Sequence, residues 1–207
     1  DTSLNVVTCL NVEEKIATTS IFQMVASQQV SKIHNLIGTV NELINELAAE
    51  DQSSWNAEIS TKVRVLSNNL RSITVVHMHM LILAGEILAD VGILLPLLHA
   101  YNHDNCIETT TTNHVSSTTT SLTQTTADPP VDCNLITAQI GSAIAAAYGE
   151  FETAKNSSMS QLQALPSIIS SPDEVDSAVR GIIKDIKAVS ESIFNDLVKI
   201  VGGILKF

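Results

Sequence analysis

Residues 59–98, ISTKVRVLSNNLRSITVVHMHMLILAGEILADVGILLPLL, decide the fold. Within them Ile59, Val63, Leu66, Leu70, Ile73, His77, Met80, Ala84, Ile87, Val91, Leu94 and Leu98 recur at alternating spacings of four and three. That rhythm places them on one helical stripe, and its length gives it a heptad-like seam. From Ile73 onward the segment is apolar on nearly every side, so more than one neighbour must cover it. Ala84, Gly85, Ala89 and Gly92 remove bulk and allow close helix approach. Pro96 predicts a kink or an end to the run.

Working backward, Val30, Ile33, Ile37, Val40, Ile44 and Leu47 form an earlier stripe, and a helix is predicted over 12–50. Asn11 is its expected N-cap, with Glu13 and Glu14 in the favoured first turn. Asp51-Gln52-Ser53-Ser54 breaks the pattern and offers caps for the second helix. Working forward, ten Thr and three Ser between 109 and 126 mark a Thr/Ser/Pro-rich linker over 107–132, closed by Pro129-Pro130.

Helical period resumes with Asp132 as the expected cap. Ile136, Ile140, Ala143 and Ala147 give a small-residue face, weakened at Asn156-Ser157-Ser158 and bounded at Pro166. Ser171-Pro172-Asp173-Glu174 is a helix-start signal: Ser caps, Pro fits the first position and Glu completes the capping box. Val175, Val179, Ile182, Ile186, Val189, Ile193, Leu197, Ile200 and Ile204 follow, and Gly202-Gly203 is expected to fray the last turn. No alternating strand pattern occurs. The expected fold is all-α, a bundle of four to five long amphipathic helices. It is read as one hairpin over 1–106 and another over 133–207, joined by the linker and packed together as one domain.

Eleven Lys and Arg against 22 Asp and Glu give a net charge of −11, and aromatics are 3%. A chain so poor in cations is not expected to bind nucleic acid, nor to dock on an anionic membrane through charge. Residues 75–98 have the length of a membrane span, but Glu86 and Asp90 sit near their middle. A central carboxylate costs about 2.5–3.5 kcal/mol on insertion, so a buried core helix is expected instead.

Asp at position 1, with no basic-then-apolar leader, is read as a mature secreted chain whose signal peptide has been removed. The sequon at Asn156 is a glycosylation candidate. Cys9, Cys106 and Cys133 allow one bridge. Cys106–Cys133 would staple the linker, whereas an antiparallel first hairpin also brings Cys9 to Cys106. A leftover cysteine would allow a homodimer.

Sites for chemistry are scarce. His99 and His103 share a helix face near Asp104, Cys106 and Glu108, which suits a surface metal less well than an ordinary exposed helix end. His77 lies in the apolar seam, where a hydrogen-bonded core histidine is expected ahead of a haem ligand. His79, Glu86 and Asp90 share another stripe. No nucleophile elbow, phosphate loop, di-iron or zinc motif is present, so no enzyme is expected.

The aliphatic excess suggests an elongated apolar cavity holding a lipid, terpenoid or pigment. Its expected wall is Ile73, His77, Met80, Ala84, Ile87 and Val91, facing Ile140, Ile144, Ile186 and Ile193. The rival expectations are a self-assembling structural or interfacial protein and a membrane-active toxin. The latter is suggested by the 75–98 helix and the Gly202–Phe207 tail.

Overall fold

The computed structural model describes residues 6–106, 133–169 and 177–206. The predicted linker 107–132, the Asp132 cap and the start signal at Ser171–Glu174 lie outside them. Among the described residues there is no strand. Four helices pack together: α1 (Val12–Ala49), α2 (Ala57–Asn105), α3 (Cys133–Ile168) and α4 (Ser177–Leu205). α2 is central, lying against both α1 and α3. α4 closes the bundle against α1 and α3 and touches α2 least.

The decisive stripe on α2 is buried except for Ile59, which is half-buried. On α1 the buried line is Ala26, Gln29, Ile33, Leu36, Val40, Leu43 and Leu47. Leu36 and Leu43 therefore replace the predicted Ile37 and Ile44, which flank the core half-buried. Both registers satisfy the same period, and the packing of α2 selects between them.

The helix ends correct several expectations. Asn11 stands at the N-cap of α1, but its side chain turns back along the chain. Its Oδ1 accepts from the Thr8 amide at 2.9 Å and its Nδ2 donates to the Val6 carbonyl at 2.9 Å. Asp51 caps a single 3₁₀ turn, Gln52–Ser54. The cap of α2 is Asn56, whose Oδ1 accepts from the Ile59 amide at 2.8 Å.

Pro96 does not end α2, which continues to Asn105. The carbonyl that loses its partner belongs to Gly92, on the exposed side where water reaches it. Pro166 likewise lies inside α3, two residues before its end, where one missing hydrogen bond costs little. The Asn156-Ser157-Ser158 stretch stays helical. Gly202 and Gly203 do not fray α4. Gly203 has no Cβ because the Phe22 ring lies where one would sit, at 2.8 Å.

Cys9 and Cys106 form a disulfide with Cα atoms 5.3 Å apart, which sets the start of α1 beside the end of α2. α1 and α2 therefore run in opposite directions from the turn at 50–56. Asn134 accepts a hydrogen bond from the Val7 amide, bringing the start of α3 to the same end. Cys133 is buried outside the disulfide, its Sγ 3.7 Å from the Leu97 carbonyl. The Cys106–Cys133 pairing is thus replaced by Cys9–Cys106. An interchain bridge through Cys9 is ruled out while this bond is intact, and Cys133 faces inward.

Candidate functional site

The ten residues expected to line a cavity are all buried, between 0% and 8% exposed. Ile73, His77, Met80, Ala84, Ile87 and Val91 lie on the inward face of α2, Ile140 and Ile144 on α3, and Ile186 and Ile193 on α4. Ile186 also borders an α1–α4 groove of about 330 Å³ with Leu36 and Ile182. Ile140 borders an α2–α3–α4 groove of about 350 Å³ with Leu94, Thr137 and Ile204.

His77 is sealed in the core at 0% exposure, its Nε2 3.0 Å from the Ser190 Oγ of α4. Desolvation holds its pKa down at about 4, so the ring is neutral at neutral pH. Its Nδ1 has no protein partner. The pair has the reach of a base and a hydroxyl nucleophile, but both side chains are fully buried at 0% exposure. A metal ligated through Nε2 would have to displace Ser190 from that nitrogen.

Asp90 and Glu86 form a second polar feature on the α3-facing side of α2. Burial first, then a hydrogen bond and repulsion from Glu86, raise the Asp90 pKa to about 7. Asp90 Oδ2 is buried without a partner. Over Cys133–Gly149 α3 carries no Asp, Glu, Lys or Arg. His99 and His103 are exposed, His103 Nδ1 lies 3.1 Å from Asp104, and Cys106 is consumed by the disulfide. Among the described residues no cluster of His, Cys, Asp and Glu has a metal-binding arrangement.

The feature that sequence reasoning missed is where charge is absent. No Asp, Glu, Lys or Arg occurs over 16–31 of α1 or 133–149 of α3, and only Glu86 and Asp90 occur over 72–103 of α2. The disulfide end brings these segments together. The signal was present in the sequence, but the charge was summed over the whole chain.

On the outer face of this region Val75, Met78, Ile82 and Ile93 are 53%, 48%, 52% and 57% exposed. Spaced at helical intervals with exposed Ala89, they form one apolar stripe on α2. An 18-residue window of α2 reaches a mean hydropathy of 2.1, yet only 33% of it is buried. Beside the stripe α3 presents exposed Ala138, Ser142, Ala145, Ala146 and Gly149. Small side chains there leave an α2–α3 groove of about 720 Å³, lined by Val75, His79, Ala145, Ala146, Gly149, Glu150, Thr153 and Ala154. The groove is wide open to solvent, a trough along the surface rather than an enclosed cavity.

Comparison with protein-family models, with curated proteins and with solved structures gives no match.

Proposed function

We propose that this chain is a secreted, non-enzymatic carrier of a hydrophobic small molecule of lipid, terpenoid or pigment class. The observation that supports this reading most is the charge-poor half. Its apolar α2 stripe borders a groove roomy enough for such a cargo, and burying the stripe removes apolar area from water at about 25 cal/mol per Å². In this reading cargo enters along the α2–α3 groove, and the ten core residues meet it only if the bundle parts. The proposal includes the arrangement as two hairpins joined through 107–132, and a glycan on Asn156, which is exposed on α3.

The same exposed stripe favours one second reading, an interfacial protein that self-assembles. It predicts concentration-dependent oligomers of the purified chain.

The test is native mass spectrometry of protein from its natural source, followed by organic extraction and titration with fatty acids and pigments. A stoichiometric apolar cargo is expected. A Cβ at position 149 meets nothing within 4 Å, so this groove-lining position has room for a side chain to begin, and Gly149→Phe introduces a ring there. It is expected to weaken cargo binding at least tenfold with no loss of stability. A chain that carries no cargo and refuses all added ligands sinks the carrier reading.

A further inference from the structure

α4 differs from the other helices in charge. It and the residue after it hold Arg180, Lys184, Lys187, Lys199 and Lys206, five of the chain's 11 cations, against Asp185, Glu191 and Asp196. This segment is net positive in a chain whose net charge is −11. Asp173, Glu174 and Asp176 stand just before this segment in the sequence. At physiological salt the Debye length is about 8 Å, so a surface that meets the Lys184–Lys206 stretch responds mainly to the charges of that stretch.

α4 is also the most strongly amphipathic of the four helices. Val179, Ile183, Ile186, Ile193, Phe194, Leu197, Ile200 and Val201 are buried on one side, with Lys184, Lys199 and Lys206 exposed on the other. A helix with a wide apolar face and a cationic polar face is suited to lie in a lipid–water interface.

The attachment of α4 to the bundle is the imperfect one. Among the described residues, five buried side-chain atoms lack a partner, and three belong to α4 or to residues bonded to it. They are Arg180 Nε, His77 Nδ1 opposite Ser190, and Gln29 Oε1, whose neighbouring Nε2 donates to Asp196 at 3.1 Å. The disulfide fastens α1 to α2 and leaves α4 without a covalent tie.

We propose that α4 leaves the bundle to lie on an anionic phospholipid surface, exchanging its packing on α1 and α3 for lipid while α1 and α2 stay joined. The proposal deepens the carrier reading, because a carrier must meet a lipid surface to load or unload.

The test uses vesicles of phosphatidylcholine, with and without phosphatidylglycerol, carrying brominated acyl chains that quench tryptophan. The single native tryptophan, Trp55, is replaced by Phe, and Phe194→Trp places a reporter on the buried face of α4. Strong quenching of this reporter on phosphatidylglycerol vesicles is expected, with little for Ile21→Trp on the exposed side of α1. Replacing Lys184, Lys199 and Lys206 by Gln should weaken binding by about fivefold per charge, on the order of a hundredfold together.

Hydrogen exchange on the unmodified chain gives a reading independent of reporter folding. Vesicles should change protection over 177–205 and leave α1 and α2 unchanged. Equal affinity for both vesicle types, no vesicle binding, or bound protein with unchanged exchange over 177–205 overturns the proposal. Ligand titration without vesicles tests the carrier reading separately, so failure of one is distinguishable from failure of the other.

Discussion

The two ends of the bundle are built from the same interior and different exteriors. At the turn end, around Gln52–Ser54, the core holds Leu43, Leu47, Leu66 and Leu70, and the surface carries Glu42, Glu46, Glu58, Lys62, Arg64 and Arg71. At the disulfide end the core holds Leu83, Ile87, Leu98 and Ile144, but the surface of α2 is Val75, Met78, Ile82 and Ile93. Burial of the inward stripe is sufficient to form the helices at both ends. The apolar outer surface at the disulfide end is left exposed by the packing of the described helices.

Reduction is the harshest way to break this comparison. The disulfide closes a sequence separation of 97 residues. Restricting the unfolded chain over such a loop contributes about 4–5 kcal/mol in the chain-entropy model. Reduced protein is therefore expected to lose that much unfolding free energy in urea titrations, with a correspondingly lower midpoint and exchange accelerating first at the starts of α1 and α3.

The polar groups between and within the ends sharpen it through opposite pH dependences. His77 is neutral in the fold and protonates readily only when unfolded, so its stabilising contribution is complete above pH 6.5. It is lost as pH falls through 6.5 to about 4, amounting to ~3 kcal/mol. His77→Gln keeps a donor for Ser190 and should flatten this slope in urea titrations at a series of pH values. Asp90 acts the other way, because its raised pKa means that the fold holds a proton the unfolded chain has given up. Its penalty grows as pH rises from 3.8 to about 7. Asp90→Asn should stabilise the chain at pH 8 and leave it unchanged at pH 3.

The two N-cap asparagines compare the ends at smaller scale. Asn56→Ala removes a true cap and should cost about 1 kcal/mol at the turn end. Asn11→Ala should leave α1 helicity unchanged and loosen only Val6–Thr8, seen as faster amide exchange of Thr8. The smallest stability effect is expected for Ile82→Ser on the open stripe, within about 0.5 kcal/mol, while cargo binding falls.

What was legible in the sequence follows from the same physics. The α2 stripe was readable because its alternation persists, but of the small residues expected to allow close approach only Ala84 is buried, while Ala89 and Gly92 are exposed and a Cβ at Gly85 or Gly92 meets nothing within 4 Å. On α1 both Ile37 and Leu36 satisfy a helical period, so the register waited for the neighbour. Pro96 and Pro166 read as stops because the sequence does not show where the orphaned carbonyl points. The pairing of His77 with Ser190 links residues 113 apart, a contact no local pattern announces. The α2–α3 groove depends on exposed alanines and a glycine of α3, which periodicity discards because they are small.

The Cys9–Cys106 bond also makes residues 9–106 a covalent ring. A protease that cuts once in the exposed turn around Asp51–Ser54 opens this ring without releasing a fragment. The nicked molecule would keep its mass on a non-reducing gel and separate only when reduced. Scission at the turn thus leaves the ring's two arms joined, whereas a single cut between Cys106 and Cys133 leaves α1–α2 and α3–α4 held by packing and by hydrogen bonds such as Val7–Asn134, Gln29–Asp196 and His77–Ser190.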